Sequence, residues 1–537
     1  MPIRLALSLS LAWALAYGAA SGGEPVASKV ETILQTPGFA DAHWGLLAID
    51  AKSGEVVYER NADQMFCPAS VAKLYSTSAA WLDLGPDYRF QTPLLRRGEI
   101  DKDGVLHGDL ILSAQGDLSL GGRTLPDGTL AFQDNDHTYA GGNLDGAIVG
   151  VDPLAGLDHL AREAAASGLK RVEGDVLIDD RLFETAASSG SGPSRVTPIL
   201  INDNLVDVVA TPGAKAGDPA RVRIVPETSF VSYDVLVTTV AEGKRPRLVV
   251  TTVGSRRFEV RGRIPVGSHA IVKNYEVEEP AAFARALLIE SLRRRGVRID
   301  ASPLGNNDEA KLPKRSEVVA LPKIAEYTSP PFREYVKVIL KVSLNLHAST
   351  LPLLVAAHHG EKSYRDGLRR EGELLKTLGV DVSKISFGGG AGGERADLTT
   401  PRQTVALLRG LAKRPDFPSY EAALPVLGRD GTLAKAVPAD SPARGHARAK
   451  TGTYYVGNEI SGKSVLTSKS LAGYLETAGG RPLIVTFFVS NVPLGIDAGQ
   501  GPVTATTAGR LLGRLCEAFY SIDATAKVAE KPAATKE

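Results

Sequence analysis

Cysteine is almost missing from this chain. Of 537 residues only Cys67 and Cys516 are cysteine, which excludes a disulfide-dense secreted scaffold and leaves stability to core burial. The sequence does not place the two thiols together, and two buried free cysteines are expected. Cys67 has no histidine motif with it, so a thiol nucleophile is not indicated. Charge of one sign is lacking too. A formal net charge of +1 gives no long-range attraction for polyanions, and nucleic acid is excluded as a partner. After the first twenty residues no apolar run is long enough to read as a membrane-spanning helix.

What is present begins with an address. Arg4 precedes an apolar run from Leu5 to about Ala16, and the small residues Gly18, Ala19, Ala20 and Ser21 follow. This pattern predicts a cleaved secretory signal over 1–22, with a mature start near 17–24 and a periplasmic or secreted location. Ser8 and Ser10 interrupt the run, which is short for a membrane anchor, and no nearby cysteine could accept a lipid. At 537 residues, with 43% hydrophobic and 23% charged residues, the chain is an ordinary globular sequence of about three or four domains.

The texture changes twice along the chain. His43–Asp50 and Glu55–Arg60, joined by Ser53-Gly54, read as an antiparallel hairpin. Pro68 suits a first helical turn, and Val71, Leu74, Tyr75 and Ala79 recur at the spacing of a buried helical face. From about 94 to 325 short alternating strands dominate, interrupted by the helical patterns LDHLAREAAASG and PAAFARALLIESLRRRG. Helical patterns resume after Pro331. Near the end, Ala447–Val456 reads as a strand, SLAGYLETAGGRPLIVTFFVS as a hairpin over Gly479-Gly480, and TATTAGRLLGRLCEAFYSI as a closing helix. The tail 523–537 has too few apolar residues to pack and is expected to be disordered.

Three short motifs carry the chemistry: S-x-x-K at Ser70–Lys73, S-x-N at Ser343–Asn345, and K-T-G at Lys450, Thr451 and Gly452, followed by Thr453. Each is weak alone, and Ser167–Lys170 also fits the first pattern without a buried helical turn after it. Together, in order and on their expected elements, they are specific. A serine hydroxyl needs a base, and positions i and i+3 of a helix put Lys73 beside Ser70. Lys73 must be neutral, and desolvation with the nearby cation Lys450 would depress its pKa. The amides of Ser70 and of the strand carrying Thr453 suit an oxyanion hole. Ser343 would relay a proton to the leaving amine, while Asn345 holds Lys73 and a substrate amide. Lys450, Thr451 and Thr453 would bind a terminal carboxylate, with Gly452 letting the strand approach the ligand.

These residues, with HGDLILSAQGDLSL, VEGDVLIDDRLF, GRIPVGS, LTTPRQTVALL and LPVLGRDGTL, resemble the penicillin-recognising serine D,D-peptidases, specifically the class C, type-4 penicillin-binding proteins. The resemblance implies a serine-type D-Ala-D-Ala carboxypeptidase/endopeptidase that acts on peptidoglycan stem peptides, is inhibited by β-lactams and uses no cofactor. It leaves peripheral membrane or cell-wall association and the oligomeric state open. The implied fold is α/β (α+β): a β-lactamase/transpeptidase-like domain with an antiparallel sheet flanked by helices, discontinuous over 25–93 and 326–522. β-rich inserts interrupt it, one over 94–204 and 263–325 and one nested within that over 205–262. The 270 residues between Lys73 and Ser343 agree, being far more than a simple β-lactamase needs. The chain departs from the common pattern at Leu344, where aspartate is usual, at His347, where an aromatic is frequent, and over Gly390–Asp397.

Competing readings are weaker. His358-His359 at a helix end has no carboxylate or cysteine partner in the sequence, so no metal site is expected. The run Gly388–Gly393 lacks the Lys-Ser or Lys-Thr of a phosphate loop and reads as a rim of the active site. A serine β-lactamase would share the three motifs, but no E-x-x-x-N pattern follows Asn345. A catalytically silent cell-wall binding protein would have lost its nucleophile.

Overall fold

The stretch His43–Asp50 is apolar on almost every residue because both of its faces are covered. A computed structural model describes residues 25–142, 145–497 and 501–523 of the chain. The expected signal over 1–22 and the tail from 524 onward lie outside the described residues. In the structure His43–Asp50 pairs antiparallel with Val56–Arg60 on one side and Pro482–Ser490 on the other. The sheet continues through Lys463–Glu476 to an edge strand, Ala447–Asn458, which carries the K-T-G motif.

Side chains alternate across this sheet, and the alternation divides two cores. Leu47, Ile49, Ala472, Ile484 and Phe488 face the helices Lys73–Leu84, Phe332–Val342 and Asn345–His358. Leu46, Ala48, Leu471, Val485 and Phe487 face the outer helices Val26–Leu34 and Ala505–Tyr520. Cys516 is buried on that outer helix, and Cys67 is half-buried beside the turn that carries Ser70; both are free.

The long excursion leaves along Gln91–Ile100 and returns along Lys323–Thr328, and these two strands pair with each other, Gln91 opposite Thr328. Neither strand stands out in the sequence, because each is short of strict alternation. The excursion is therefore framed a few residues outside the expected limits of 94 and 325. Its main sheet packs against the helices Ala155–Ala166 and Pro280–Arg294.

The nested part differs more from expectation. Leu205–Thr211 pairs with Ile271–Glu276, and the strand Arg257–Pro265 runs through the expected boundary at 262, pairing with Ser232–Val240 and Arg247–Gly254. The sheets of this part thus extend to 276. One core, including Leu106, Leu157, Val206, Phe258 and Phe283, runs through both pieces of the insert. Sequence texture cannot show that, since the shared core is built by contacts distant in the chain. At the C-terminus, Asp523 accepts a hydrogen bond from Thr477 Oγ1 at 2.8 Å, so packing reaches one residue into the expected tail.

Candidate active site

Pro68 leads into a 3₁₀ turn, Ala69–Ala72, and the helix Lys73–Leu84 continues from it. In a 3₁₀ turn residues i and i+3 eclipse, which aligns Ser70 with Lys73 more directly than an α-helical turn would. Ala69, just before the serine, sits at φ 46°, a strained conformation of the kind that persists where surrounding contacts over-determine it.

Lys73 is wholly buried. Its Nζ lies 2.9 Å from Ser70 Oγ, 2.7 Å from Asn345 Oδ1 and 2.7 Å from the Ala391 carbonyl. Burial pulls its pKa down to about 7, against the opposing pull of Asp397. A neutral lysine has two N–H groups, which match the two oxygens that can only accept, Asn345 Oδ1 and Ala391 O. The lone pair is then left for the Ser70 hydroxyl.

Lys450 is also wholly buried. Its Nζ lies 3.0 Å from Ser343 Oγ and 2.6 Å from the Thr451 carbonyl. Desolvation first, and then Lys73 and Lys469, push its pKa well below the ordinary lysine value. Burial is the main cause of the shift at Lys73, and the repulsion between the two ammonium groups, which is mutual, disfavours having both charged at once.

The edge strand is held against the Ser70 turn by its neighbour, whose Ser468 and Ser470 hydroxyls donate to the carbonyls of Cys67 and Pro68, both at 2.7 Å. Gly452 is required by this approach. A Cβ there would stand 2.6 Å from Pro68 O and 2.9 Å from Ser70 N.

Ser343 ends one helix in the left-handed region, φ 67°, and Asn345 begins the next, so the S-x-N residues do occupy a connection between helices. Asn345 differs from expectation. Its Nδ2 donates to the Ser191 carbonyl at 2.7 Å, so that amide group is engaged by the protein rather than open to substrate. Thr451 Oγ1 donates to Thr432 Oγ1 at 2.7 Å, and Lys469 Nζ donates to Thr453 Oγ1 at 2.6 Å. Burial lowers Lys469 to about 8.

An open cleft joins these groups. Ser70, Ser343, Asn345, Thr451, Gly452 and Thr453 line it, as do Ala391, Gly392 and Gly393 from the glycine-rich run, which forms a rim as expected. Tyr139, Gly190, Ser191, Thr432 and Lys469 also line it and are absent from the sequence reading. Tyr139, Gly190 and Ser191 come from the insert, where no motif marks them; Lys469 is found only by strand register, opposite Thr453.

The histidine pair needs a correction. His358 Nδ1 and His359 Nε2 both meet the Asp83 carboxylate, at 2.9 and 2.8 Å, so a carboxylate partner exists 275 residues away in the chain. These three side chains lie at the far end of the Asn345–His358 helix from the cleft. They are the one group of three among the described residues whose potential ligand atoms all lie within 4.8 Å of one another.

A half-buried serine on a buried lysine, a second lysine on a serine, and an edge strand against the Ser70 turn make an arrangement suited to serine acyl transfer. Residues 26–506 match the family described as D-Ala-D-Ala carboxypeptidase 3 (S13), and the chain belongs to that family of peptidases. It is 27% identical over 516 residues to a D-alanyl-D-alanine carboxypeptidase from Actinomadura sp. (strain R39), covering 91% of this chain and 84% of that protein. It is 22% identical to the D-alanyl-D-alanine carboxypeptidase DacB of Haemophilus influenzae, covering 84% and 86%. The fold is similar to the crystal structure of penicillin binding protein 4 from Haemophilus influenzae, with a TM-score of 0.67 at 20% identity over 92% of this chain and 99% of that one. That protein has also been solved in complex with a β-lactam.

Proposed function

We propose that this carboxypeptidase works through an ester on Ser70. The observation that carries the reading is the threefold contact of Lys73 Nζ with Ser70 Oγ, Asn345 Oδ1 and Ala391 O. Neutral Lys73 takes the hydroxyl proton as Ser70 Oγ attacks the carbonyl between two D-alanines. The amides of Ser70 and of the K-T-G strand near Thr453 stabilise the oxyanion. Ser343, held by Lys450, passes its proton to the departing D-alanine amine and takes up the one that Lys73 removed from Ser70, which leaves Lys73 neutral again to activate water. Water then hydrolyses the ester. The substrate carboxylate rests on Thr451 and Thr453. The same steps would open a peptide cross-link, which makes endopeptidase action part of this proposal.

The N-terminal pattern supports export, with peptidoglycan stem peptides as the natural substrate outside the cytoplasmic membrane. Mass spectrometry of the exported protein should find a new N-terminus near 17–24; an intact one bearing Arg4 contradicts export.

Incubation with benzylpenicillin tests the mechanism. The lactam mimics the D-Ala-D-Ala amide, and its leaving group stays tethered in the site, so a penicilloyl ester on the Ser70 peptide should persist for many minutes. Rapid turnover without an adduct would point to a lactamase. No adduct and no D-alanine release would point to a silent binding protein.

A further inference from the structure

The first turn of the helix Asn345–His358 has its polar side chains on the inserted unit. Asn345 Nδ2 donates to Ser191 O, Ser349 Oγ accepts from Ser189 N at 3.1 Å, and His347 Nε2 meets Asp203 Oδ1 at 2.6 Å. Just before this turn, Tyr139 Oη donates to the carbonyl of Ser343 at 2.5 Å. Ser343 holds a left-handed conformation that serine seldom adopts, and it needs such outside contacts to stay there.

Asp203 is itself fixed. It is buried, accepts from Arg123 at 2.8 Å and contacts His137 at 3.0 Å, and it lies in a run of three left-handed residues, Asn202–Asn204. Since Asp203 carries its charge, the nitrogen of His347 facing it is the donor.

Asn345 offers Lys73 either its oxygen or its NH2, because the amide is nearly symmetric in shape. Only the oxygen accepts from Nζ. The Ser191 carbonyl decides the matter, since it accepts only from the NH2 end. We propose that the inserted unit is a positioning frame for acylation: Asp203 anchors the turn through His347, and the Ser191 carbonyl orients Asn345 so that its oxygen faces Lys73. His347 and Asp203 are positioning residues, remote from the reacting atoms. The proposal rests on the acyl-enzyme reading above and adds to it a role for the insert.

The test uses the full chain and benzylpenicillin. The fraction of protein that can be labelled counts folded sites, and the labelling rate per site reports positioning. His347→Phe should fold, since an aromatic fits, but should acylate about 10- to 100-fold more slowly per site. Its ascending pH limb should move to lower pH, because an amide free to turn presents NH2 to Lys73 and disfavours the ammonium; a loss of folded protein alone would not move that limb. His347→Gln keeps an N–H for Asp203 and should recover most of the rate.

Gly190→Ala disturbs the second contact independently. Gly190 has φ 97°, and a Cβ would stand 2.7 Å from Asn345 Nδ2. It should slow acylation in the same way. Per-site rates within twofold of the parent and an unmoved limb, in His347→Phe or in Gly190→Ala if the first does not fold, overturn the proposal. A parent chain that is never acylated overturns the underlying reading of the site instead.

Discussion

Two of the buried groups of charged side chains are built on opposite terms. Around Arg123 the charges are matched. Arg123 meets Asp136 and Asp203 at 2.8 Å each, and His137 meets Asp207 at 2.9 Å. Burial alone would raise Asp136 and Asp203, yet Arg123 holds both below the usual carboxylate range. Burial alone would strip His137 of its proton, yet Asp207 and Asp203 hold it up at about 10. Around Lys73 and Lys450 the neighbours in hydrogen-bond contact are neutral oxygens, and both lysines are pushed toward their uncharged forms. A matched cluster keeps its charges and joins parts of the chain. An unmatched one gives up a proton near neutral pH, which is what a base for a serine hydroxyl must do.

The sharpest way to break this contrast is to remove the base. Ser70→Ala should give no penicilloyl adduct, and Lys73→Ala should slow acylation by about 10³-fold, followed by mass spectrometry. If Lys73→Ala acylates at the parent rate, the unmatched cluster is not the base.

Next comes Arg123→Met, which leaves buried carboxylates uncompensated and should cost about 3–5 kcal/mol in a urea melt. A loss below about 1 kcal/mol would mean the matched cluster is no more than surface-like pairing.

A smaller effect is the pH dependence of acylation. With Lys73 near 7, the rate should fall about tenfold per unit as pH drops below that value and level off above it.

The two clusters should also tilt stability in opposite directions in alkali. Lys73 has its folded pKa lowered, so the unfolded chain binds more protons between about 7 and 10.5, and stability from this group rises with pH there. His137 has its folded pKa raised from 6.5 to about 10; its contribution is complete below 6.5 and is lost as pH rises through about 10. Lys73→Met removes the first effect, so its melting free energy should decline more steeply from pH 7 to 10 than the parent's, by up to about 1.4 kcal/mol per unit. Parallel curves would remove the distinction between the clusters.

Much of the site is legible in the sequence because its residues are tied to local elements. Ser70 and Lys73 share one turn, Ser343 and Asn345 flank one helix start, and Lys450 to Thr453 lie on one strand. The sheet is legible for the same reason: runs such as LIVTFFV and HWGLLAID are short, apolar and bounded by turn residues, as buried strands are. What the sequence hides depends on distance along the chain. Ser191 has no feature that predicts a bond to Asn345, 154 residues on, and Asp83 has none that predicts the histidine pair. His347 stands out only as a departure from an expected aromatic, and its meaning waits on Asp203. The limits of the nested unit are hidden in the same way, since Ile271–Glu276 is assigned by its partner Leu205–Thr211 rather than by its own pattern.

The pairing of His43 with Ser490 also sets an order of events as the chain is made. The strand at 43–50 can pair at once with Val56–Arg60, but its other edge must wait for a partner synthesised more than four hundred residues later, and the K-T-G strand joins this sheet only through that partner. The insert closes on itself much earlier, Gln91 against Thr328. Such long-range closure is slow, and a nascent chain can carry Ser70 and Lys73 for most of its synthesis without an assembled cleft, so the cleft is completed by the last strands and not by the turn that carries Ser70.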